Sequence, residues 1–124
     1  MRDFTFFTVE SKDGVAVVHW KESEVSRASL DRELHTELCS WVGDSRPRRV
    51  LVSFADLEWC PSALLGGLIG MRKRLAVDGG DLKLCDVNSF IEEQLRRLNL
   101  ERMFDIHANR RDAIAAFEGQ RPHC

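Results

Sequence analysis

The stretch Val50-Leu51-Val52-Ser53-Phe54 does most to restrict how this chain can fold. It is a short apolar run, rich in Val, with a helical pattern on each side of it in sequence, and this predicts a central strand joined to its neighbours by helices. After it come Ala55-Asp56-Leu57-Glu58-Trp59-Cys60-Pro61 and then Ser62, which opens the helical pattern of Leu64, Leu65, Leu68, Ile69 and Leu75. In open α/β sheets, the loop leaving the carboxyl end of such a strand is where ligands and partners usually meet the protein. The segment from 55 to 62 is therefore the first place to look for function.

The remaining elements follow from periodicity and turn chemistry. Phe4 to Val9 is β-branched or aromatic and reads as a first strand. Ser11-Lys12-Asp13-Gly14 supplies a hairpin turn, and Val15 to Trp20 a second strand. Lys21 to Ala28 reads as an irregular polar connection. Ser29 then caps a helix whose inner face is Leu30, Leu34, Leu38 and Trp41, with Asp31 and Glu33 favouring its dipole and Gly43 closing it. Asp78-Gly79-Gly80 ends the helix after Ser62, and Leu82 to Val87 is a fourth strand, parallel to the third through a right-handed crossover.

Ser89 and Glu92 have capping-box spacing, and Phe90, Ile91, Leu95 and Leu98 are expected to point inward. Asn99 ends that helix in the left-handed conformation. Met103 to Ile106 is a last short strand, and Asn109 caps a final helix burying Ala113, Ile114 and Phe117. The expected order is β-β-α-β-α-β-α-β-α, an α/β single domain with a mixed sheet of four or five strands and about four helices gathered over one face. The domain spans 1–118, and 119–124 is a tail.

The 124 residues are enough for one core without disulfides or metals. A net charge of -2 argues against general nucleic-acid binding, and Arg72-Lys73-Arg74 reads as a solvated helix face. The longest apolar run, Ala63 to Met71, is about half of what a membrane span needs. The N-terminus lacks a signal-peptide core, so the expected location is cytoplasmic. Cys39, Cys60, Cys85 and Cys124 are far apart, without a metal-binding spacing, and read as reduced thiols. Gly66, Gly67 and Gly70 are costly in a helix, at about 1 kcal/mol each, and suggest close backbone packing. They form no phosphate loop, because no G-x-x-x-x-G-K-[ST] can be drawn.

Catalysis finds little support. Ser62 lacks a G-x-S-x-G elbow, Cys60 has no His near it in sequence, and His19, His35 and His107 stand in no motif. Asp56 and Glu58, two residues apart, share one side of an extended loop as solvated carboxylates. By its chemistry alone, Ser62 is first of all a helix N-cap, accepting an N–H from Leu64 or Leu65 and worth about 1 kcal/mol. A phosphate on the same hydroxyl would meet the favourable end of the helix dipole. Both roles remain open on residue chemistry.

The ordered set of features resembles the STAS domain, and in particular the small bacterial anti-sigma factor antagonists. The likeness runs from Asp13-Gly14-Val15, through the strand–loop–helix at 50–69, Gly79-Gly80-Asp81-Leu82-Lys83-Leu84-Cys85 and Leu98-x-Leu100-x-x-Met103-Phe104-Asp105-Ile106, to Ala113 and Phe117. In that family the loop typically reads Asp-Ser-Ser/Thr-Gly, and its first Ser is phosphorylated by a kinase-type anti-sigma factor. Aligned here, Ser62 keeps the acceptor position, while Pro61, Ala63 and Leu64 replace the Asp, the Ser/Thr and the Gly; Gly66 matches the later glycine.

The resemblance implies a non-enzymatic protein that docks an anti-sigma factor in partner switching and regulates transcription. Phosphorylation of Ser62 would weaken docking and a phosphatase would restore it. It implies no cofactor and no metal. The expected docking residues are Asp56, Glu58, Trp59, Cys60 and Ser62, with Arg72 further along the helix. The alternative is a STAS scaffold subunit in a stressosome-like or lipid-transport-associated assembly, with Ser62 never modified. A small hydrolase using Ser62 or Cys60 is a third, weaker alternative. Oligomeric state is left open.

Overall fold

The computed structural model describes residues 2–27 and 32–119. Six strands form one sheet: β1 (Arg2–Asp3), β2 (Phe7–Lys12), β3 (Val15–Trp20), β4 (Arg49–Ser53), β5 (Asp81–Cys85) and β6 (Asp105–His107), in that spatial order. β2 runs antiparallel to its two neighbours, β1 and β3, and β3 to β6 run parallel. The helices are α1 (Glu22–Arg27), α2 (Arg32–Ser45), α3 (Ser62–Val77), α4 (Ser89–Arg97) and α5 (Arg110–Gly119). The mixed α/β architecture is the expected one, with one strand and one helix more than foreseen.

The β2–β3 hairpin closes through Asp13 and Gly14, both at positive φ (53° and 78°). Two left-handed residues in a two-residue loop match the twist of the strands, which is why Asp-Gly marks such turns. The first strand is split. Phe4 N donates to Phe7 O at 2.9 Å, and the Phe4 and Phe7 rings stack, so the chain bends between β1 and β2 instead of running straight from 4 to 9.

The connection at 21–28 also differs from expectation, since it holds α1. Glu22 and Glu24 lie in its first turn, where carboxylates favour the helix dipole, and Val25 is buried. Ser29, Leu30 and Asp31 lie outside the described residues. Helix α2 continues through Gly43 to Ser45 and gives way to Arg46 at φ 45°. Gly43 does not end the helix, and the group nearest to a Cβ there, at 2.7 Å, is the movable guanidinium of exposed Arg74 on α3.

Both faces of the sheet are covered. Val18, Val50, Val52, Leu82 and Leu84 face a large core with Leu38 of α2, Leu64, Leu68 and Met71 of α3, and Ile91 and Leu95 of α4. Val15, Val17, Leu51 and Cys85 face the other way, onto Ala113, Ile114 and Phe117 of α5. The helices are therefore not gathered over one face. Consecutive strand residues point to opposite sides, so the fully buried run Val50, Leu51, Val52 needs cover on both, and α5 supplies the second layer.

Close packing of α2 on α3 explains two of the three helical glycines. A Cβ on Gly67 would meet Leu38 Cδ1 at 2.8 Å, and one on Gly70 would meet the His35 ring at 2.5 Å. Gly66 has nothing within 4 Å, so packing does not require it.

Helix α4 begins one residue earlier in its capping logic than Ser89 suggested. Asn88 is the N-cap, and its Oδ1 accepts from Ile91 N at 2.8 Å. That register turns Phe90 outward, 76% exposed, and leaves Leu98 at the C-cap, also exposed, so neither joins the core. Asn99 adopts φ 57°, as expected of a helix-ending Asn, and Asn109 Oδ1 caps α5 through Asp112 N at 2.8 Å.

Candidate functional site

The loop between β4 and α3, residues 54–61, is held at both ends and in the middle. Phe54 N donates to Cys85 O at 3.0 Å, tying the loop to the end of β5, and Leu57 N closes a turn on Phe54 O at 3.1 Å. Phe54 and Leu57 are buried, and their side chains plug the loop into the core. Asn88 Nδ2 donates to Leu57 O (3.3 Å) and Glu58 O (2.8 Å). Gln94 Oε1 accepts from Cys60 N and Gln94 Nε2 donates to Cys60 O, both at 2.9 Å. Two polar side chains at α4 thus take over main-chain groups that would otherwise be stranded at the rim of the core. Between its fastened points the loop displays Asp56, Glu58 and Trp59 to solvent, with Trp59 56% exposed.

Ser62 lies just beyond. It is exposed, and it is the first residue of α3; the N-cap is Pro61, at φ -62° and ψ 152°. Leu64 N and Leu65 N donate to Pro61 O at 2.9 and 3.1 Å. This corrects the expected capping bond, because those N–H groups go to a carbonyl and the Ser62 hydroxyl has no capping duty. Proline is well suited to the spot, since it fixes φ without giving up a donor that the helix needs. Gly66, one turn further on, leaves open space beside Ser62, and Ala63 and Leu64 are buried.

One of the expected docking residues, Cys60, is withdrawn from the surface. Cys60 is buried in the main core, its Sγ 3.8 Å from Pro61 O, and burial alone pushes its thiol up to about 12. Its side chain is therefore unavailable to a partner, and a thiol so protonated is a poor nucleophile. Arg72 is exposed, but it sits ten residues along α3 from Ser62, about 15 Å at 1.5 Å per residue, toward the other end of the sheet. Asp56, Glu58, Trp59 and Ser62 remain together.

Two features around the loop were not foreseen from sequence. Phe90 stands exposed two residues beyond Asn88, whose side chain holds the carbonyl next to Trp59. Gln94 fastens the loop. A misplaced cap hid the first; hydrogen bonding across 34 positions hid the second. A second row of polar residues, His19, Ser53, Cys85 and His107, is aligned across β3 to β6. Cys85 belongs to the core under α5, so the row faces away from the core that holds Cys60. Among the described residues, no three His, Cys, Asp or Glu side chains are grouped to hold a metal ion, and no helix is long and apolar enough to cross a membrane.

Comparison with known proteins matches residues 7–113 to the STAS domain family model. An anti-sigma F factor antagonist of Paenibacillus polymyxa is 24% identical over 96 residues, covering 77% of this chain and 75% of that protein. The crystal structure of a putative anti-sigma factor antagonist of Thermotoga maritima superposes with a TM-score of 0.74 at 22% identity, over 90% of this chain and 94% of that one. The anti-sigma factor antagonist SpoIIAA in its unphosphorylated form gives 0.73 at 14% identity, over 94% and 99% of the two chains. The Bacillus SpoIIAA in its phosphorylated form gives 0.64 at 15%, over 90% and 98%. At such identities the structural likenesses speak for the fold. With a family match over most of its length, this chain belongs to the STAS domain family.

Proposed function

We propose that this chain is a non-enzymatic binding protein, an anti-sigma factor antagonist that docks a kinase-type anti-sigma factor through the β4–α3 loop and the start of α3, with Ser62 as the phosphorylated residue. The observation that carries this is the state of Ser62: exposed, first in a 16-residue helix, and released from capping because Pro61 O takes the Leu64 and Leu65 N–H groups. Beside it stands exposed Trp59, the residue type that most often anchors interfaces.

A phosphate at this position gains from the helix N-terminus, so the fold tolerates it. On the docking surface it acts the other way. It adds nearly two negative charges beside Asp56 and Glu58, and a hydrated dianion opposes burial of the Trp59 surface. A phosphatase would return the docking form.

The experiment pairs the chain with the anti-sigma factor kinase of the same genome and ATP, then maps modification by mass spectrometry. Phosphate on Ser62 is the expected result. A partner that binds while Ser62 stays unmodified would remove the switch and leave the scaffold role, which Pro61, Ala63 and Leu64 in place of the family's usual loop residues favour. A Ser62→Asp chain is expected to lose at least tenfold in partner affinity at unchanged thermal stability, and equal affinity would overturn docking through this surface.

A further inference from the structure

Away from Ser62, at the end of the sheet where β5 begins, lies a cavity of about 420 Å³ between the second half of α3 and the segment leading into β6. Arg72 and Ala76 of α3 line it on one side, Arg102, Met103 and Phe104 on another, and Asp81, Lys83 and Asp105 at the strands. Lys83, 1% exposed in the interior of β5, alternates with Leu82 and Leu84 and sends its ammonium to the α5 face of the sheet, away from α3. Burying an ammonium is costly unless it is fully partnered. Lys83 Nζ bonds Asp105 Oδ2, lies 3.7 Å from Asp81 Oδ2, and sits 4.9 Å from the centre of the Phe117 ring. The other oxygen of Asp81 accepts from Leu82 N at 2.9 Å, and Asp105 also meets His107 Nε2 at 3.0 Å.

Asp81 and Asp105, on the same side of their strands as Lys83, are therefore engaged with its ammonium on the α5 face. The two guanidiniums have no such partner: neither Arg72 nor Arg102 pairs with an acid among the described residues, and both are exposed. Two free arginines on one cavity favour a ligand with several anionic oxygens, since the planar fork matches a phosphate group in a bidentate way. The volume exceeds what a bare ion fills and falls in the range of small-molecule sites. The lining is mainly polar, and Ala76 and Met103 offer a small apolar surface for an organic part.

We propose that this cavity binds a phosphorylated small molecule, its phosphate held by Arg72 and Arg102 and its organic part against Ala76 and Met103. The site is independent of Ser62 phosphorylation and lies toward the opposite end of α3 from it. It also gives Arg72 a role apart from the loop.

The test is an amide and arginine Nε–H NMR titration of the full chain with inorganic phosphate and with glycerol 3-phosphate, at an ionic strength held constant with sodium chloride. Saturable shifts are expected at Gly80 to Lys83 and at Arg72 and Arg102, with glycerol 3-phosphate binding more tightly. Arg72→Gln and Arg102→Gln are each expected to weaken binding about tenfold, while Arg97→Gln, on the exposed side of α4, leaves it unchanged. Shifts that sodium chloride alone reproduces, or saturation that survives the Arg72→Gln/Arg102→Gln double variant, would overturn the site. Inorganic phosphate binding as tightly as the ester would overturn the assignment of an organic ligand.

Discussion

The side-chain amide of Gln94 pairs with the main chain of Cys60, accepting from its N–H and donating to its carbonyl, each at 2.9 Å. One residue of α4 thereby fixes the loop immediately before Pro61 and Ser62, across a sequence separation of 34. A surface that docks a partner benefits from such preorganisation, because a loop already ordered loses less entropy on binding. The clasp also explains how a loop without regular structure can carry a buried cysteine: its polar main chain is satisfied at the point where it enters the core.

Gln94→Leu removes both bonds and leaves the Cys60 N–H and C=O unpaired beside the core. The expected loss is about 2 kcal/mol of unfolding free energy, measured by urea denaturation. Faster hydrogen exchange should be concentrated at residues 57–61. Uniformly faster exchange across the sheet would mean that Gln94 supports the whole domain and not the loop.

Trp59→Ala separates folding from docking. The side chain is more than half exposed, so unfolding free energy should change by less than about 0.5 kcal/mol. Affinity for the anti-sigma factor, followed by calorimetry, is expected to fall by about 2 kcal/mol or more if Trp59 anchors the interface. Unchanged affinity would take Trp59 out of it. Phe90→Ala reports in the same way on whether the surface extends to α4.

Neighbouring glycines in α3 should respond in opposite directions to the same substitution. Gly66→Ala meets nothing within 4 Å and gains helix propensity, an expected stabilisation of up to about 1 kcal/mol. Gly67→Ala drives its new methyl to 2.8 Å from Leu38 Cδ1 in a fully buried core, where overpacking outweighs the propensity gain. Its expected effect is a net loss of about 1 kcal/mol. Thermal unfolding of the two variants side by side checks the contrast.

Acid stability should report on Lys83. Its hydrogen bond holds the Asp105 carboxyl below the usual carboxylate range, with a further hydrogen bond from His107, against the upward push of partial burial. A carboxyl whose folded pKa is depressed adds stability that is complete above its unfolded value, about 3.9, and is lost as pH falls through the folded one. The difference in unfolding free energy between the native chain and Lys83→Met should therefore narrow between pH 6 and pH 3. Glu10, held low chiefly by its hydrogen bond from Arg110, titrates in the same direction in both chains and cancels. A difference that does not change with pH would remove the coupling.

Much of this could be read along the chain. The Asp13-Gly14 turn, the apolar run at 50–54, and Asn99 and Asn109 at helix ends are local matters, governed by φ preferences, side-chain period and capping bonds a few residues long. The family pattern lies in the same ordered signals. Helix starts were legible only to within a residue, and that residue mattered. Moving the cap from Ser89 to Asn88 turned Phe90 from core to surface, and moving it from Ser62 to Pro61 freed the hydroxyl on which the proposed switch depends.

Sequence by itself therefore determined the order of the elements other than β1 and α1, the sheet's central strand and the place of Ser62 at the head of a helix, because these follow from interactions between near neighbours. Tertiary structure decided the rest. It placed α5 on the second face of the sheet, buried Cys60, and fastened that loop to Asn88 and Gln94. Each of these depends on which distant groups meet once the core has closed, and on the need of every buried polar group for a partner. Neither requirement leaves a periodic mark in the chain. Ser62 is positioned by local rules; whether its surroundings form a docking surface is settled by contacts made from more than 25 residues away.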